Sequence, residues 1–201
     1  MMTDSNTGAV TRSASWLSAV RAAVVLILLC GGLYPLLVTT AGKVMFPHQA
    51  LGSMIIVEDT IVGSELVGQR FVASEYFHGR PSAASYDPFS VGGSNYAASN
   101  PDLRARVAED SAAVAEREDI APTSIPADLL AASGSGIDPH ISPESAMIQA
   151  ERVATARDIP VAQVNELIAE HTEGPTLGIF GQPRVNVLKI NLALDGKELN
   201  D

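Results

Sequence analysis

Four histidines (His48, His78, His140, His171) and the run Asp138, His140 and Ser142 are where this 201-residue chain shows the side chains most able to do chemistry. A helical zinc site needs ligands paired three or four residues apart on one face. These histidines are scattered, so the sequence predicts no metal site. Asp138, His140 and Ser142 supply the side-chain types of a nucleophilic triad. Alternate residues in a turn do not aim at one another, however, and no G-x-S-x-G elbow is present. A membrane-anchored hydrolase is therefore the least supported reading, and no residue is assigned as catalytic.

Two other segments carry binding chemistry. Ser133-Gly134-Ser135-Gly136 can present successive backbone amides to an anion, but Ile137-Asp138-Pro139-His140 follows it where a phosphate loop would place lysine. A plain connector between helices fits the same residues. Tyr76-Phe77-His78-Gly79-Arg80-Pro81 sets two aromatics, an imidazole and a guanidinium in a Gly/Pro-bounded loop. These types serve as interface anchors. They serve equally as core residues with an internal ion pair, and the residues alone leave both readings open.

The elements that must position these segments begin with a membrane helix. Ala22–Gly42 holds no charge and is bracketed by Arg21 and Lys43. As a helix it would be about 31 Å long, matching a hydrocarbon core of ~30 Å. A cleavable signal has a shorter apolar region, so a retained anchor is expected, with residues 1–21 as a short cytoplasmic arm and 43–201 as one mixed α/β domain. Arg12 and Arg21 on the N-terminal side, against the acids Glu58, Asp59 and Glu65 beyond Lys43, put that domain outside the cell membrane by the positive-inside rule. Residues 44–201 carry 10 Lys/Arg against 22 Asp/Glu, a formal charge of −12. That excess argues against a nucleic-acid partner. The lone Cys30 permits no disulfide within the chain.

Within the domain, Met54–Val57 and Thr60–Val62 read as short strands around Glu58-Asp59, and residues 64–98 as ordered loops. Asn100-Pro101-Asp102 and Ser142-Pro143-Glu144 are helix starts. The first helix runs to about Asp119. Ala127–Leu130 suggests one helical turn, and Pro160 opens a last helix. Val185–Leu192 reads as a closing strand.

Taken in order, these segments resemble a known family. The membrane helix, Gly63–Gln69, Tyr76–Ser82, Gly93-Ser94-Asn95, Ser99-Asn100-Pro101, Ala132–Pro143 with Arg152 and Arg157 behind it, and Pro183–Leu188 with Asn191–Asp195 resemble the C subunit of the Kdp potassium-transporting ATPase. The resemblance covers roughly residues 20–195. Glu58-Asp59-Thr60 departs from an expected glycine-containing turn, and Tyr96 from a commoner aliphatic. Residues 103–127 look like an insertion-tolerant surface helix.

The resemblance implies an accessory subunit of an ATP-driven potassium uptake pump in the bacterial inner membrane, with no cofactor of its own. Its implied partners are a channel-like potassium-binding subunit that carries the ion, a P-type ATPase subunit, a small helical subunit, and membrane lipid. The family is also described as a catalytic chaperone that raises the ATPase subunit's affinity for ATP. On that view Ser133, Gly134, Ser135, Gly136 and Gln149 are the nucleotide contacts, at a site shared with that subunit. Tyr76, Phe77, His78, Arg80, Asn95, Asp138 and His140 are the candidates for partner contact. The nucleotide role conflicts with the predicted topology, because ATP is cytoplasmic and the domain is expected outside.

Overall fold

A computed structural model describes residues 16–132 and 138–197. The chain divides into two units, Met1–Leu51 and Gly52–Asp201.

The first unit is one apolar helix, Trp16–Met45, with none of its residues buried by the rest of the chain. It starts as α1 (Trp16–Leu26), widens into a π-helical stretch at Ile27–Leu33, and resumes as α2 (Tyr34–Met45). Pro35 accounts for the widening. It has no N–H to give, and its ring would clash with the carbonyl four residues back. A wider turn, in which the Tyr34 N–H reaches the Leu29 carbonyl, relieves both problems. Thirty residues give about 45 Å of helix. That is long enough to cross a bilayer, and apolar enough, with Ile27, Leu28 and Leu36 all about two-thirds exposed. Phe46 ends the helix, and α3 (Pro47–Ala50) is a single turn.

The second unit is a mixed α/β domain. β1 (Met54–Val57) and β2 (Thr60–Ser64) pair antiparallel, with a bulge between Ile55 and Ile56. Glu58 and Asp59 close this hairpin with φ of 48° and 61°, the left-handed pair such a turn demands, where Asn-Gly is the easier choice. After irregular chain, Asn100 caps α4 (Pro101–Glu118) by accepting from the Asp102 N–H at 2.8 Å. Single turns follow at Pro122–Ser124 and Ala127–Leu129. Next come β3 (His140–Ile141), α5 (Pro143–Met147), α6 (Ala150–Arg157), α7 (Val161–Glu170), β4 (Thr172–Glu173), β5 (Arg184–Asn186) and α8 (Val187–Leu194). The last three strands form an antiparallel sheet in the order β3-β5-β4.

Phe77, Val114, Leu129, Ile141, Val153, Val164, Val185 and Ile190 form the main core. Ile55, Val57, Leu188 and Leu192 tie the hairpin to α8 in a smaller one.

Two expectations need correcting. Val185–Leu192 is not a strand throughout: the strand ends at Asn186, whose side chain accepts from the Lys189 N–H and starts α8. A run that is buried on nearly every side fits a helix as well as a strand, and the cap decides. Residues 103–127 are not merely a surface helix either. Val114 and Glu118 are buried, and the last turns of α4 pack on α6.

Candidate functional site

The segment from Ser74 to Arg80 runs through the domain without regular structure, so its backbone groups need partners from elsewhere. Two carboxamides supply them. Asn191, on α8, accepts from the Phe77 N–H at 2.8 Å and donates to the Phe77 carbonyl at 2.9 Å. Gln149, which precedes α6, accepts from the His78 N–H at 2.8 Å and donates to the His78 carbonyl at 3.1 Å. The two side chains thus imitate a neighbouring strand. Both are buried, at 1% and 0% exposed, so no water competes.

Two arginines of α6 complete the hold. Arg152 donates to the carbonyls of Ser74 (2.6 Å) and Tyr76 (3.0 Å), to the Gln149 amide oxygen (2.9 Å) and to Glu118 (2.8 Å). Glu118 has no exposed side-chain surface and is also met by Arg117 at 2.6 Å. Arg157 donates to the carbonyls of Glu75 (2.7 Å) and Leu194 (2.8 Å) and to Asp195 (2.8 Å), while its guanidinium lies 5.0 Å from the centre of the Tyr76 ring. The Tyr76 hydroxyl donates to Asp195 at 3.0 Å.

The electrostatics follow from these contacts. Burial opposes the charge on Asp195, but hydrogen bonds from Arg157 and Tyr76 and the Arg157 charge outweigh it, holding the carboxyl below its ordinary range. Burial raises the Tyr76 phenol, and its bond to Asp195 raises it further. Burial, with Arg117 and Arg152 nearby, lowers the His78 imidazole although its Nε2–H donates to the Ala73 carbonyl.

A second cluster lies beside the first. Arg80 forms an ion pair with Asp138 and donates to the carbonyls of Asp128 (3.3 Å) and Ala131 (3.1 Å). Asp138 also accepts from the His140 N–H at 3.2 Å. His140 pairs with Asn186 in the sheet, and burial lowers its pKa. The Ser142 hydroxyl donates to Asp128 at 3.1 Å and accepts from the Ser145 N–H at 3.0 Å, so it caps α5. Its hydrogen bonds go to Asp128 and Ser145 and not to His140, so a Ser-His-Asp relay has no geometry here.

Of the predicted residues, Tyr76, Phe77, His78 and Gln149 are therefore brought together, and Arg80, Asp138 and His140 form the adjoining cluster. Phe77 has no exposed surface and sits in the core, and Arg80 has the internal ion pair. Asn95 stands apart in exposed chain, at φ 51°. Ser133, Gly134, Ser135 and Gly136 lie outside the described residues. Among the described residues, no group of three or more His, Cys, Asp or Glu could hold a metal ion. A cleft of about 490 Å³ borders the first cluster, lined by Arg70, His78, Tyr86, Asp110, Arg117 and Leu129 among others.

Sequence reasoning missed Glu118, Asp128 and Asn191. Asn191 left a signal, a carboxamide inside the otherwise apolar stretch Ile190–Leu194, which the strand reading hid. Glu118 left none, because it ends a helix already rich in charge.

The sequence matches the KdpC family, described as the c chain of K+-transporting ATPase, over residues 16–196. The potassium-transporting ATPase KdpC subunit of Shewanella putrefaciens is 49% identical over 185 residues, covering 92% of this chain and 93% of that one. The KdpC subunit of Xanthomonas oryzae pv. oryzae is 51% identical over 162 residues (81% and 78%). That of Gemmatimonas aurantiaca is 51% identical over 175 residues (85% and 86%).

Proposed function

The chain belongs to the KdpC family, the c chain of K+-transporting ATPases, and we propose that it serves its pump as a non-catalytic accessory subunit. The apolar helix anchors it in the membrane. The acidic domain stands on the outer face, over the channel-like subunit that takes up potassium, and stabilises the assembly with the ATPase and small helical subunits.

The observation that carries this reading is how the polar groups of the 74–80 cluster are engaged. Both ends of the Gln149 and Asn191 amides, and the guanidinium groups of Arg152 and Arg157, hold the chain's own backbone and carboxylates. Such a cluster supports a rigid docking body better than a reaction centre. It also supports this reading over direct contact with ATP, since Gln149 would have to release His78 to meet a nucleotide. The charge bias across the helix points the same way.

Two experiments test the proposal. Pump subunits are expressed with and without this chain; omission should cost both intact complex and potassium-stimulated ATP hydrolysis. If both persist, the accessory role is wrong. For topology, Glu116→Cys in a Cys30→Ser background is treated with an impermeant maleimide on intact spheroplasts. Labelling before lysis is expected, whereas protection until lysis moves the domain to the ATP side and revives the chaperone reading.

A further inference from the structure

We propose that the hairpin closed by Thr176 and Phe180 is a membrane-contacting finger, seated in the interfacial layer of the bilayer that the chain's own apolar helix enters. It goes beyond the accessory role and rests only on the anchor.

The hairpin tip is apolar and unpartnered. Leu177, Ile179 and Phe180 are 85%, 75% and 61% exposed, and Gly174–Pro183 contains no charged residue, in a domain of formal charge −12. Much of its backbone pairing is internal. Thr176 N–H donates to the Phe180 carbonyl at 2.8 Å, Phe180 N–H returns to the Thr176 carbonyl at 3.0 Å, and Gly178 N–H reaches the Pro175 carbonyl at 2.9 Å. Irregular chain enters lipid without penalty only when such groups are already paired. Leu177 is held at φ 56°, a strained region for a bulky side chain. Among the described residues, none covers that side chain to offset the strain.

Position selects lipid as the occupant. Glu173 and Arg184, paired at 2.9 Å, form the root of the finger. Lys189 Nζ lies 3.9 Å from Glu173 and 2.6 Å from Glu65, and the Glu65 N–H donates to the Ser53 carbonyl at 3.0 Å. Ser53 follows Gly52, where the chain enters the domain. A short run of contacts thus joins the root of the finger to the first residues of the domain. Met45 ends the apolar helix only seven residues before Gly52, at most ~25 Å of chain. A bilayer crossed by that helix lies within reach. An uncharged apolar tip on an acidic domain suits acyl chains and the headgroup boundary, not attraction to anionic headgroups.

The test uses the full chain in phosphatidylethanolamine/phosphatidylglycerol vesicles, alone and in the assembled pump. A polarity-sensitive fluorophore is placed at Leu177→Cys, and separately at Ile179→Cys, with Cys30→Ser, and lipids carry shallow acyl-chain nitroxides. Blue-shifted emission is expected at both positions, with quenching several-fold above that at Glu116→Cys. Emission that shifts without lipid quenching, and only in the assembled pump, assigns the finger to a protein partner and overturns the proposal. Water-like emission at both positions overturns it too. Native Cys30, labelled in the otherwise unchanged chain, reports the anchor separately. Quenching there with none at 177 and 179 removes the finger alone, and none anywhere removes the anchor as well.

Discussion

Ser74–Arg80 and Gly174–Pro183 look alike as sequence, aromatic residues set among glycines or prolines, and have opposite fates. Phe77 is fully buried while Phe180 is 61% exposed. The first segment borrows its backbone partners from α6, α8 and Gln149; the second finds them within itself. Irregular chain can therefore be buried only where distant polar side chains are aimed at it, whereas a self-closed hairpin is free to point its apolar residues outward. The difference is written in Gln149, Arg152, Arg157 and Asn191, and not in the two segments themselves.

Breaking that borrowed support at its most charged point should have the largest effect. Arg152→Ala strips Glu118 of one of its two cations and leaves the Ser74 and Tyr76 carbonyls without their donor. A buried ion pair broken on one side costs roughly 3–5 kcal/mol. The denaturation midpoint of the full chain in detergent, followed by near-UV circular dichroism, should fall accordingly. Arg152→Lys should recover little of it, because an ammonium cannot reproduce the planar fork. A loss below about 1 kcal/mol would mean that the cluster is ornament to a core that folds without it.

Asn191→Leu comes next. It keeps volume but orphans the buried Phe77 N–H and carbonyl, each worth ~1–3 kcal/mol when unsatisfied. A loss of at least about 2 kcal/mol is expected, read from the same midpoint and offset in part by the apolar surface that leucine adds. The matching change at the other region, Thr176→Val, leaves the hairpin's backbone bonds in place and should move it hardly at all.

Acid probes the same contrast. Asp195 and His78 both titrate below their ordinary values in the folded chain. A depressed folded pKa means the unfolded chain binds more protons, so the stabilisation is complete above the unfolded value and is lost as pH falls. His78 should begin to withdraw support below about pH 6.5, and Asp195 below about pH 4. Midpoints measured downward from neutral pH should decline in those two stages, with His78→Phe removing its share of the upper one and leaving the share of His140, which burial lowers in the same way. The finger carries no titrating group, and its labelled positions should report no change across the upper stage.

Much of this was legible beforehand. The uncharged span, both proline-led helix starts, the β1–β2 pair and the loop-rich 64–98 stretch follow from local rules, and local rules suffice for elements whose partners are near in sequence. The family followed from motif order. The internal role of Tyr76–Arg80 stayed open because its partners on other elements lie 48 to 119 residues away. No window of sequence joins His78 to Gln149 or Tyr76 to Asp195. The closing strand was misread for a related reason, since Val187–Leu194 is buried on nearly every side and so lacks a period.

The smallest predicted effect sharpens the comparison most. Leu177→Gly deletes a large apolar side chain, and at a buried leucine such as Leu129, 2% exposed, truncation even to alanine costs about 2–5 kcal/mol. At Leu177 the domain leaves the side chain 85% exposed, so there is little packing within the domain to lose. Glycine also relieves the left-handed backbone by ~1–2 kcal/mol, while the extra freedom of the unfolded chain takes back roughly 0.5–1 kcal/mol. The midpoint in detergent should stay within about 1 kcal/mol of the parent, or rise slightly. A fall of core size would mean that Leu177 packs within the domain, and that the two regions are built by one rule after all.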